Sequence, residues 1–291
     1  MRVIALNFAD ADFTTPGTYR EYLLEKVSPL LGADSPALVV LPAHSALLLA
    51  WSFGDLGDVQ TLDEAVQHFV QMSSWPAAWY EQQQKLAQEL NIWFIPGTVL
   101  DTENGRLYHE APLLDPQGRI CGRQKQLFLT QQEKTWGLAR GDSAEVFDTP
   151  FGLLGIIVGT DAWYPETGRI LALTGAGLIC HPGAVSEENH TWLQFAGMWS
   201  QVQQNQFFCV ESQLCTEIAG YQAGGETLIH APCEMTAGYS GILARGGQDG
   251  RPVTAELDEE KRREVISRYP LLKLLQPEAY SPIYPQKGER P

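Results

Sequence analysis

At 291 residues, 44% hydrophobic and 19% charged, the chain has a globular balance and enough length to bury a large core in one domain, which excludes disordered and fibrous classes. A formal net charge of -15, from 35 acidic against 20 basic residues, opposes a phosphate backbone, excludes nucleic acid as an expected partner and reads most simply as a solvated surface. Cysteines at positions 121, 180, 209, 215 and 233 include no CxxC pair, no apolar run reaches the ~18 residues of a membrane span, and the opening MRVIALNF is wrongly flanked for a signal peptide. A soluble cytoplasmic protein with reduced thiols and no membrane contact is expected.

In chain order, apolar runs of strand length fall at 3–6, 37–41, 92–95, 111–114, 153–158, 178–180, 207–210 and 227–230. Several are apolar on both faces, as in sheets covered on both sides. Helical patterns lie between them, at 19–31, 74–90, 166–174 and 191–205, and this alternation predicts an α/β fold. The stretch LYHEAPLLDPQGRICG sets Pro116, Gln117 and Gly118 between two strand-like runs. That is a hairpin signal, so mixed sheets are expected. Residues 1–275 read as one domain and 276–291 as an extended C-terminal arm with a disordered tip. No cluster of His, Cys or carboxylate residues has ligand spacing, and HPGAVSEENH reads as a polar loop, so no metal or other cofactor is expected.

The stretch GIIVGTDAWYPE, residues 155–166, ends a strand-like run at a sharp turn where an α/β enzyme would present its nucleophile, yet the turn offers only Gly159 and Thr160. Around it the chain resembles the nitrilase, or carbon-nitrogen hydrolase, superfamily in a series of ordered blocks. LVVLP ending at Pro42 resembles the family's first active-site strand and GRLYHEAPLLDPQGRI its second block. TPFGLLGIIVGTDAWYPETGRILALTGAGLI resembles the nucleophile block, TWLQFAGMWSQVQQNQFFCVES the helix and strand after it, and GGETLIHAP and VTAELD the last two. The resemblance implies a four-layer α-β-β-α sandwich.

It also implies a Glu, Lys and Cys set that hydrolyses nonpeptide C–N bonds: a thiolate attacks, a carboxylate moves protons and an ammonium stabilises the anion. The family glutamate directly follows the proline of the first block, which places Ala43 there. The lysine lies eight residues after the hairpin glycine, which places Gln126 there, with Thr130 and Glu133 in the same register. Asp161, Tyr164, Pro165 and Glu166 fix the cysteine position on Gly159. All three functional groups are thus replaced. Lys125 reads as an exposed strand lysine on the opposite face from Gln126, His44 as a solvated loop histidine, and Arg169 as an ion-pair or packing residue. Glu133 resembles an accessory glutamate that positions substrate.

The first expectation is therefore a catalytically silent nitrilase-fold protein, a pseudoenzyme, whose pocket at the strand ends carrying Pro42 and Gly159 takes a small molecule or a partner. Its wall is expected to include Ala43, Gln126, Gly159, Trp163 and Tyr164, with His44, Glu133, Thr160, Asp161, Cys180 and His181 as further candidates. A second reading keeps C–N hydrolysis with a relocated nucleophile such as Cys180, which sits beside His181 in sequence. A third is a structural or oligomerisation role. Family members associate through the helices after the nucleophile turn and through the C-terminal arm, and Trp192, Phe195 and Trp199 stand at helical spacing in that region. A homodimer is expected.

Overall fold

In a computed structural model, residues 1–32, 37–186, 190–246 and 249–280 are described. The first half supplies strands β1 (Arg2–Ala5), β2 (Leu38–Val40), β3 (Trp93–Ile95), β4 (Val99–Glu103), β5 (Arg106–Leu114) and β6 (Ile120–Lys125). Then come β7 (Val146–Thr149), β8 (Gly152–Ile156), β9 (Leu178–Gly183), β10 (Phe208–Gln213), β11 (Glu217–Ile218) and β12 (Tyr221–Gln222). Strands β13 (Leu228–His230), β14 (Ile242–Arg245) and β15 (Val253–Glu256) complete them. The helices are α1 (Pro16–Val27), α2 (Ser45–Ser52), α3 (Leu62–Gln71), α4 (Trp75–Leu90), α5 (Gln131–Thr135), α6 (Pro165–Leu173), α7 (His190–Gln194), α8 (Ser200–Asn205) and α9 (Glu259–Arg268).

One sheet runs β15-β1-β2-β3-β5-β4, with β6 also on β5, and the other runs β14-β13-β10-β9-β8-β7. Strand alternation sends Val3, Val40, Leu154, Ile156, Leu178, Cys180 and Val210 into one core between the sheets. The opposite faces bury Ile4, Val39 and Leu41 under α1 to α4, with Leu23 and Trp79 among the covering residues. On the far side, Ile157, Ile179 and Cys209 lie against Leu171 and Val202 of α6 and α8. Two sheets face to face, each covered by helices, make the four-layer α-β-β-α sandwich.

Both sheets are mixed: β1–β2, β2–β3, β8–β9 and β9–β10 are parallel, while β5–β6, β10–β13 and β1–β15 are antiparallel. The β5–β6 hairpin turns at Gly118, whose φ of 72° suits glycine. Local chemistry also sets helix ends. Thr61 and Glu64 form a reciprocal cap at α3, and α4 ends on Asn91 in the left-handed region. The pattern at 19–31 stops as an α-helix at Val27, where a 3-10 turn with Pro29 takes over.

The helical pattern expected at 191–205 is not one helix. It breaks at Gly197 (φ -88°, ψ -114°) in a π turn over Phe195–Trp199, where a Cβ on residue 197 would lie 3.3 Å from the Trp163 indole nitrogen. Among the described helices none is long and apolar enough to cross a membrane. Of the expected C-terminal arm, Pro277–Tyr280 forms a 3-10 turn, and residues 281–291 lie outside the described residues.

Candidate functional site

The site forms where strands of both sheets end. After β2 the chain passes Pro42 and turns at His44, whose φ of 58° is left-handed, while the Ala43 amide donates to the Gly183 carbonyl of the second sheet at 3.2 Å. The turn is held by a close approach of Gly97, where a Cβ would stand 2.1 Å from the Pro42 carbonyl oxygen, so only glycine fits. Because β2 has already ended at Val40, strand alternation no longer separates residues 43 and 44, and both face the same space. His44 is therefore a wall residue rather than a solvated loop histidine: its ring stacks on His109 at 4.9 Å and 4°.

That space is a cavity of about 160 Å³. Ala43, His44, Glu133, Gly159, Thr160, Trp163 and His181, all expected from sequence, line it. Gln126 sits immediately behind the wall. A Cβ on Gly159 would meet the Gln126 amide oxygen and His109 at 3.7 Å, so the positions read as 126 and 159 from sequence do converge. Lys125 faces the other way, pairs with Glu103 and lies over the Tyr108 ring at 4.0 Å.

The floor is a closed chain of hydrogen bonds. The His44 amide donates to Thr98 Oγ1 (2.7 Å), and that oxygen lies 2.6 Å from His109 Nε2. Gln126 Oε1 can only accept, so the neutral His109 carries its proton on Nδ1 and donates it there (2.7 Å), which leaves Nε2 to accept the Thr98 hydroxyl proton. The two protons of the Gln126 amide nitrogen are shared among the Glu133 carboxylate (3.0 and 3.1 Å), Thr160 Oγ1 (2.8 Å) and the Phe128 carbonyl (2.9 Å). Thr160 passes its own proton to the Phe128 carbonyl at 3.0 Å. Glu133 is fixed by its place in the α5 cap, accepting the Thr130 amide at 2.7 Å while its own amide bonds Thr130 Oγ1.

Burial keeps the imidazoles neutral. It drives His44 down to about 3, helped by the adjacent His109, and lowers His109 and His181 as well. His181 donates Nδ1–H to the Ile157 carbonyl at 3.0 Å, so its Nε2 is a lone-pair acceptor.

Besides Gln126, three candidates do not line the cavity. Asp161 is fully buried beneath it and accepts the amides of Leu127 and Phe128 (2.8 and 2.7 Å), anchoring the segment that follows Gln126. Burial raises its carboxyl to about 7 against the pull of those two amides. Tyr164 faces outward, stacked on Phe128 at 3.9 Å. Cys180 corrects the sequence reading: one residue from His181 on β9, it points to the opposite face, into the core between the sheets, where burial pushes its thiol upward. No group of residues able to hold a metal exists among the described residues. Sequence reasoning missed His109, Thr98 and Tyr221, because nothing in a single strand shows which residue 17 positions away will meet it.

A family model described as carbon-nitrogen hydrolase matches residues 37–250. Omega-amidase NIT2 of Homo sapiens is 25% identical over 215 residues, 69% of this chain and 75% of that protein. N-carbamoylputrescine amidase of Arabidopsis thaliana is 26% identical over 195 residues, 65% of this chain and 63% of that protein. In fold, the chain is similar to a carbon-nitrogen hydrolase from Helicobacter pylori G27, with a TM-score of 0.78, 17% identity and 98% of each chain covered. The matched segment carries the turn at Ala43, the Gln126 strand and the Gly159 turn, and spans well over half of the sequence; the chain belongs to the carbon-nitrogen hydrolase family.

Proposed function

We propose that this chain holds a small molecule in the cavity beside Gly159 and does not run the family's Glu-Lys-Cys hydrolysis. In this reading Ala43, Gln126 and Gly159 stand where the glutamate, lysine and cysteine would be. The observation that carries it is the make-up of the wall: among the described residues no thiol reaches the cavity, and Cys180 is turned into the inter-sheet core. Gln126 is a neutral side chain locked into the hydrogen-bond network and offers no cation. A volume near 160 Å³ is below the ~300 Å³ at which drug-sized sites begin, which suits a ligand of metabolite size or smaller. The test is a panel of small amides, ureas and nitriles incubated with purified protein; turnover of any of them, lost on filling the cavity with Ala43→Trp, would overturn the silent reading.

The amidase names of the relatives favour a second reading, hydrolysis at this same cavity. Its nucleophile would have to be Thr160, whose hydroxyl proton is committed to the Phe128 carbonyl and not to a base. Turnover abolished by Thr160→Val would support it. We also propose a homodimer through the α6 region, supported by Ile170 and Leu173, which leave 48% and 60% of their surface exposed on one short helix, and by Trp192 nearby in sequence.

A further inference from the structure

Among the described residues, the cavity wall contains one carboxylate and no lysine or arginine. Glu133 is only 7% exposed, and among the described residues no lysine, arginine or histidine forms an ion pair with it. Its two oxygens receive neutral donors, the Gln126 amide and the Thr130 backbone. Burying a carboxylate without a counter-charge is costly, and neutral donors offset only part of that cost.

The other side chains of the wall commit most of their donors elsewhere, the neutral His44 ring and the Thr130 hydroxyl each keeping one proton. The indole N–H of Trp136 is given to Asp63 (2.6 Å) and that of Trp163 to the Leu193 carbonyl (2.8 Å). Tyr221 gives its hydroxyl to the Ala184 carbonyl (3.0 Å), and Gln132 gives its amide to Asp63 (3.0 Å). The Thr160 and His181 protons are committed to backbone carbonyls, as described above, so His181 offers a lone pair. The three aromatic residues therefore meet a ligand as rings, and ring faces attract cations. A guest suited to such a wall brings both the donors and the positive charge.

We propose that the cavity binds a small primary ammonium compound, with its N–H groups on Glu133 and the His181 lone pair and its carbon chain against the aromatic wall. This rests on the ligand-binding reading of the cavity and names the class of ligand. Among the described residues nothing else offers the combination. The larger cleft around Phe151, Leu257 and Arg262 has its charges already paired, Arg262 with Glu259.

The test uses full-length protein and three probes with the same three-carbon skeleton, n-propylammonium, propionamide and propionate, with affinity measured by calorimetry at pH 7.5. n-Propylammonium should bind at least ~10-fold more tightly than the neutral amide, in line with a charge-assisted hydrogen bond, and propionate should not bind. Glu133→Gln keeps the α5 cap, since glutamine serves at that position, and should weaken n-propylammonium at least ~10-fold while leaving propionamide within ~3-fold. Gln126→Lys places an internal ammonium beside Glu133 and should abolish n-propylammonium binding; far-UV circular dichroism confirms that each variant is folded. Propionamide binding as tightly as the ammonium, or Glu133→Gln without effect, overturns the cation preference while leaving the pocket reading intact. No binding by any probe overturns both.

Discussion

The amide nitrogen of Gln126 lies 3.0 and 3.1 Å from the two oxygens of Glu133, so a neutral donor faces the carboxylate in a buried floor. The same amide's oxygen takes the His109 Nδ1 proton, and its nitrogen also reaches Thr160. One side chain thereby satisfies three others.

Replacing it with a shape-matched apolar residue should be severe. Gln126→Leu strands the His109 donor and removes one of the hydrogen bonds of Glu133, both in buried surroundings. A loss of about 2–4 kcal/mol is expected, because orphaned buried groups carry their desolvation cost unpaid by any partner. Urea unfolding would show it as a lower midpoint with an unchanged slope; a loss under ~0.5 kcal/mol would show that the network is not formed as described.

Acid should weaken the fold through the buried imidazoles. His44, His109 and His181 are all depressed when folded, His44 to about 3, so the unfolded chain takes up their protons first as pH falls below ~6.5. Stability from these groups is full above pH ~6.5 and drains as pH falls toward the folded values. Asp161 works in the opposite sense: its carboxyl is raised to about 7 when folded, so its contribution is greatest at low pH and is lost as pH rises through about 7. His44 and Asp161 act in opposite directions, so His109 and His181 add to the acid-labile side. Thermal scans at pH 7.5 and 5.5 should show a drop in Tm that is smaller in His181→Gln than in the natural protein. An equal drop in both would exclude His181 from the effect.

Thiol labelling separates the positions of the cysteines. Cys121 is exposed, whereas Cys180, Cys209 and Cys215 are buried, and burial raises the thiols of Cys180 and Cys209. Iodoacetamide on the folded protein, followed by peptide mass spectrometry, should modify Cys121 within minutes and leave Cys180 untouched until denaturant is added. Early modification of Cys180 would revive it as a reactive group.

The layers of the fold were legible because their signal is local: doubly apolar runs alternating with amphipathic ones can bury their faces in few ways. The Lys125 and Gln126 assignment was legible for the same reason, since a strand separates neighbours onto opposite faces. That rule misleads at His44, where β2 has ended and a left-handed residue brings its side chain round to the cavity. The aromatic spacing of residues 192, 195 and 199 suggested one continuous stripe. The ring contacts persist across the π turn at Gly197, with Phe195 6.4 Å from Trp192 and 5.8 Å from Trp199, but Trp192 is left 77% exposed while Trp199 donates to the Ser240 carbonyl. His109 gave no sign at all, because its role depends on partners in two other segments.

Association can be tested at α6. Light scattering at micromolar concentration should give a mass twice that of the 32.3 kDa chain. Leu173→Glu puts a charge into the exposed apolar face and should shift the protein toward monomer without lowering Tm by more than ~2 °C. A monomeric natural protein sinks the dimer.

The last test asks whether the cavity has room for a working Glu, Lys and Cys set at positions 43, 126 and 159. Gly159 has a φ of 52°, which costs a side chain of order 1–2 kcal/mol, yet the nearest atoms to an added Cβ are 3.7 Å away, so a cysteine fits the space. Ala43 opens directly onto the cavity, so a glutamate there points into it, and a lysine at 126 lies within reach of Glu133. Nucleophile, base and cation act as a unit. The single variants Gly159→Cys, Gln126→Lys and Ala43→Glu should therefore stay at the background rate on small amides, whereas the triple variant should exceed background by at least ~10-fold. Iodoacetamide should then label residue 159 and stop the reaction. Hydrolysis by the natural protein equal to that of the triple variant would show that the cavity already holds working machinery, and the silent reading would fall.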